Sequence, residues 1–119
     1  MSYDFLMFKL KHEISACEGV TEEATMPIGL GSEIKAQLSL LFPSTEWRFA
    51  HDYWWGRYHA EDTWYEFSIE DKETICFAVR TSLRAGKREA IKLICDFLGV
   101  VAFDGQAGTL IGSLSPRSV

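Results

Sequence analysis

His51, Asp52, His59, Glu61 and Asp62 gather two imidazoles and three carboxylates between positions 51 and 62, the side chains that ligate divalent metals or move protons. A hairpin between strands at 47–55 and 58–69 would bring His51 and His59 together. With Arg80 from a neighbouring strand they would line a pocket for a small ligand or a reaction. Their spacing matches no HExxH or CxxC pattern, so surface histidines on a hairpin explain them as well, and no metal or cofactor is expected. The other chemical candidates are weaker. Gly29-Leu30-Gly31-Ser32 is not a G-x-S-x-G elbow, and the chain has neither a P-loop nor a G-x-G-x-x-G fingerprint. Cys95 falls on the apolar stripe of a helix, and Cys76 alternates out of phase with Ile75 and Phe77. Neither position favours a thiolate nucleophile, so no catalytic residue is assigned and an enzyme is not the leading expectation.

A second constellation is ionic. Arg80, Arg84, Lys87 and Arg88 lead into a helix N-terminus, where the dipole prefers anions. Free N–H groups and guanidinium forks at such a place would make an anion site. The opposing explanation is neutralisation by the acidic residues of 61–73, which carry Glu61, Asp62, Glu66, Glu70, Asp71 and Glu73 against Lys72 alone. Strands over 63–70 and 74–81 would pair as a hairpin and set the two blocks side by side.

The third constellation is aromatic. All four tryptophans, Trp47, Trp54, Trp55 and Trp64, lie among Phe49, Tyr53, Tyr58, Tyr65 and Phe67. Large aromatics dominate cores and also anchor binding surfaces. Strand parity sends Tyr65 and Phe67 inward, and Trp47 and Phe49 with them. Trp64 falls on the charged parity with Glu66 and Glu70. Tyr53, Trp54 and Trp55 are consecutive, so a strand cannot point all three inward. Tyr53, Trp54, Trp55 and Trp64, flanked by Glu61, Asp62, Glu66 and Glu70, are therefore the candidate partner-binding surface.

The elements that must position these residues follow from period and punctuation. Tyr3–Leu10 reads as a strand and 11–31 as a loop. Ser32 is placed to cap a helix carrying Ile34, Leu38 and Leu41 on one face, which ends at Phe42-Pro43-Ser44. From Glu46 the period becomes two, with a break expected at Trp54-Trp55-Gly56 and a turn at Asp71-Lys72-Glu73. Ile75, Phe77 and Val79 form an inward strand face. A second helix spans about Arg84 to Leu98, closed by Gly99. Val100–Phe103 and Thr109–Ile111 are the last strands, around a turn at 104–108, with a frayed tail at 112–119. The fold class is α+β: one domain over 1–119, an antiparallel sheet of five to six strands with two helices packed on one face.

Composition bounds the setting. With 119 residues, 47% of them apolar, a core can form without metal or disulfide staples. A net charge of −5 argues against nucleic acid as the main partner. The apolar runs are too short to span a membrane, and Met1-Ser2-Tyr3-Asp4 lacks the basic region of a signal peptide. Three cysteines without CxxC spacing fit a reduced, cytoplasmic location.

Met1-Ser2-Tyr3-Asp4-Phe5, the Phe42-Pro43 helix end, and the closing helix–Gly99–strand with Phe103-Asp104-Gly105-Gln106-Ala107-Gly108 carry a resemblance. The chain resembles a group of small bacterial α+β proteins, many beginning MSYDL and ending in a D-x-Q-x-G-like turn. Some of that group look like immunity proteins, which neutralise a toxin. Here Phe5 stands where Leu is usual, and the long helical insert of many members is missing. The resemblance implies no catalytic residue. It favours a non-enzymatic protein-binding domain and says nothing about the partner; the acidic run Glu61–Glu73 is what would draw a basic one. A homodimer formed through the aromatic patch is the alternative, beside the ligand pocket at His51, His59 and Arg80.

Overall fold

Alternating side chains build one large sheet with two unlike faces. The computed structural model describes residues 2–10, 25–59, 64–82, 88–104 and 109–111. The elements run β1 (Ser2–Leu10), β2 (Thr25–Met26), β3 (Gly29–Leu30), α1 (Gly31–Leu41), β4 (Glu46–Ala50), β5 (Tyr53–His59), β6 (Trp64–Glu70), β7 (Glu73–Thr74), β8 (Cys76–Ser82), α2 (Arg88–Leu98), β9 (Val101–Asp104) and β10 (Thr109–Ile111). The main sheet has the order β10-β9-β1-β8-β6-β5-β4, with β2 added on β1, while β3 and β7 form a small separate pair. Each of these pairings is antiparallel. The N-terminal strand thus lies inside the sheet, between β8 and β9. The short strands β2 and β3 fall where a loop was expected over 11–31, whose first part, 11–24, lies outside the described residues. So do most of the expected 104–108 turn and the tail at 112–119.

The path has seven strands where five to six were expected, and the difference arises at one turn. His51 and Asp52 adopt φ of 55° and 65°, the left-handed pair that a two-residue hairpin turn requires. Ala50 accordingly pairs with Tyr53, and Trp54-Trp55-Gly56 continues mid-strand instead of breaking it. Gly56 is needed there because the Trp47 ring lies across it; a Cβ would come 2.6 Å from Trp47 Cζ3. That ring also stacks on Phe67, with centroids 5.9 Å apart, and donates from Nε1 to Ser39 Oγ at 3.0 Å.

Phe5, Met7, Phe67, Ile69, Phe77 and Val79 join Ile34 and Leu38 of α1 and Ile91, Ile94 and Cys95 of α2 in one buried cluster. Helix α1 starts earlier than a Ser32 cap implies. Leu30 is the capping residue, and its N–H donates to the Glu33 carboxylate at 3.1 Å. Phe42 closes the helix and is buried, its centroid 4.9, 5.7 and 5.6 Å from those of Tyr58, Tyr65 and Phe67. Helix α2 is described from Arg88, so the expected start at Arg84 lies outside the described residues. It ends at Gly99 (φ 70°), whose N–H and that of Val100 both reach the Cys95 carbonyl.

Two expected core residues are exposed. Ile75 is 43% exposed because it falls between β7 and β8, where the alternation resets and Thr74 takes the buried place. Phe49 is 48% exposed because β4 is the edge of the sheet among the described residues. No helix among the described residues is long and apolar enough to cross a membrane.

Candidate functional site on the outer sheet face

The residues that alternate with the core set line a shallow depression of about 880 Å³. The register arranges them in rows across the strands. One row runs Glu46, Arg57, Glu66, Arg80, Asp4 over β4, β5, β6, β8 and β1. Its charges alternate in sign at every strand. Arg57 pairs with Glu66 at 3.2 Å and Arg80 with Asp4 at 3.0 Å. The next row runs Arg48, Trp55, Ser68, Ala78, Leu6, Phe103 from β4 to β9. Leu6 is 47% and Trp55 37% exposed. With Arg48 included, the two rows hold three carboxylates and three guanidiniums, so the lining of the depression is neutral although the chain is acidic.

The candidate anchors are divided by the sheet. Tyr53 and Trp55 share the outer face, their rings 5.5 Å apart, and Trp55 donates from Nε1 to the Ala50 carbonyl at 3.0 Å. Trp54 points the other way and packs against the core cluster. Its ring lies 5.0 Å from Phe49, its Nε1 donates to Asp71 Oδ1 at 3.0 Å, and Lys35 Nζ sits 4.8 Å over it. The same ammonium is 5.6 Å from the Trp47 centroid, a cation held between two aromatic faces. Trp64 is half-buried at the far end of β6, opposite His59.

The acidic and basic blocks are treated alike. Glu66 is engaged with Arg57, and Glu70 with Lys72 at 3.6 Å. Glu61 and Asp62 lie outside the described residues, as do Arg84 and Lys87. Of the anion-site candidates, Arg80 is paired with Asp4, and Arg88 is the first residue of α2.

The histidine pocket is not assembled. His51 occupies the β4–β5 turn and His59 the opposite end of β5, a separation of roughly 25 Å along an extended strand. No group of three or more potential metal ligands occurs among the described residues. Cys76 is exposed, and desolvation followed by the nearby Glu70 raises its thiol pKa. Cys95 is buried, and desolvation first, then Asp96, pushes it up to about 12. Both thiols are protonated at neutral pH, the wrong form for a nucleophile.

Sequence reasoning missed Asp4, Leu6, Ser68, Ala78 and Phe103 as members of this surface. Their parity was legible, but only the pairing of β1 with β8 and β9 sets them beside Trp55. Comparison with known protein families, curated proteins and solved structures finds no match to this chain.

Proposed function

We propose that this protein is a non-catalytic binding domain that docks another protein on its outer sheet face. Both helices cover the opposite face, a reading supported by the single core cluster that Ile34 and Leu38 share with Ile91 and Ile94. The observation that carries the proposal is the half-exposed apolar row of Trp55 and Leu6 beside a ladder of alternating charges. Exposed ion pairs contribute only about 0–1 kcal/mol to stability, and exposed Leu and Trp contribute less than buried ones. Held together in register, they suit recognition, where apolar anchors supply affinity and fixed charges select the partner.

The role that the sequence resemblance implies, neutralising a toxin inside the cytoplasm, is the form of this reading we adopt. Reduced thiols at Cys76 and Cys95 fit that compartment. The test is titration with the product of the adjacent gene. Leu6→Ala combined with Trp55→Ala should weaken the complex at least about tenfold. Trp54→Ala, on the other face, should leave affinity unchanged while lowering stability. Equal affinity of the Leu6/Trp55 double variant and the wild type would sink the assignment.

A further inference from the structure

We infer that, without a partner, the outer sheet face is covered by a second copy of this chain, packed about a two-fold axis that runs along the strands between β6 and β8. The inference rests on the reading of that face as the working surface and names its occupant. Such an axis sets β6 against β8, β5 against β1, and β4 against β9 of the other copy, given the strand order. In the charged row, Glu66 then faces Arg80 of the second copy and Arg57 faces Asp4 of the second copy, each contact occurring twice by symmetry.

Alternation alone could serve cross-strand pairing within one chain. The apolar row, however, matches at the same axis: Ser68 meets Ala78, Trp55 meets Leu6, and Arg48 meets Phe103. Small opposes small at the centre, large apolar opposes large apolar, and a cation opposes an aromatic ring. The charged row is complementary about any axis between adjacent strands, and the apolar row selects this one among them. Aligned packing of two sheets at about 30° is the ordinary geometry for such a contact. Six strands and two residue rows cover roughly 400 Å² per copy. That is about half the ~800 Å² per partner of a standard interface, so the dimer should be weak, dissociating at roughly tens to hundreds of micromolar.

Sedimentation analysis of the whole chain tests this. The wild type should shift from monomer towards dimer between about 1 and 200 μM. Glu66→Arg alone and Arg80→Glu alone should each weaken self-association roughly a hundredfold by opposing like charges twice. Mixing the two variants should restore a dimer, because positions 66 and 80 of the unlike copies then carry opposite charges at both symmetry-related contacts; recovery also shows that both fold. Ala78→Trp, which leaves every ion pair in place, should likewise give a monomer. A wild type monomeric throughout, a dimer indifferent to these changes, or a mixture that stays monomeric overturns the inference. A monomeric wild type that still loses its partner on Leu6→Ala/Trp55→Ala substitution leaves the proposed function standing. A dimer whose partner binding ignores those substitutions does the reverse.

Discussion

Phe67 and Ser68 are neighbours in β6, yet they belong to different problems. Phe67 is fully buried, ringed by Phe42 and Trp47 and joined to a cluster that includes residues of both helices. Ser68 lies on the opposite face, in register with Trp55 and Ala78. The same contrast repeats at Met7 and Leu6 and at Val79 and Ala78. One face has its apolar area removed from water by packing, which is where stability comes from. On the other, Phe8 and Val101 are buried at the β1–β9 end, and the remainder keeps apolar and charged groups in a fixed pattern that adds little to stability. A sheet with one face packed and one face wet is ordinary. What distinguishes this one is that its wet face carries Leu and Trp where polar residues would suffice.

Perturbations on the core face should therefore cost stability, and those on the outer face recognition. Phe67→Ala should be the most damaging, lowering unfolding free energy by about 3–5 kcal/mol in chemical denaturation. Gly56→Ala should cost about 1–3 kcal/mol, because its methyl group displaces a Trp47 ring held by Phe67 on one side and Ser39 on the other. A loss below experimental error would mean that Trp47 yields freely.

Cys95 supplies a pH-dependent probe of the packed side. Its folded pKa of about 12 lies above the ordinary value of 9.0, so the native state holds its proton where the unfolded chain has released it. The stabilisation is complete below about pH 9 and is lost as pH rises towards 12. Cys95→Ala should flatten the alkaline limb of a stability–pH curve relative to wild type, and an identical slope in both would refute the assignment. Cys76, exposed on the other face, should react with a thiol reagent in the native protein while Cys95 reacts only on unfolding.

The smallest stability effects belong to the outer face. Asp4→Asn breaks the ion pair with Arg80 and should change stability by about 0–1 kcal/mol, less at high salt. A loss comparable to that of Phe67→Ala would erase the distinction between the two faces.

The legible and illegible parts of the molecule divide along the same physical line. Parity in β6 placed Tyr65 and Phe67 inward and Trp64 on the charged side, and the structure follows it. The left-handed cap at Gly99 was also readable from local chemistry. The β4–β5 turn was not, because His-Asp is an uncommon carrier of the positive φ values that a two-residue hairpin needs. That misreading merged two strands and drew His51 towards His59 when the true turn sends them to opposite ends of β5. Trp54 and Trp55 were grouped by adjacency, whereas an unbroken strand separates them onto opposite faces.

By itself, then, the sequence determined the α+β class, the main strands and helices, and which residues within a strand share a side, since these depend on neighbours a few positions away. Tertiary structure alone decided that β1 enters between β8 and β9, that Asp4 meets Arg80, and that Leu6 and Phe103 complete a row begun at Trp55. Those contacts join residues far apart in the chain. Register between distant strands is set by cooperative packing of the whole sheet and is not written in any local period.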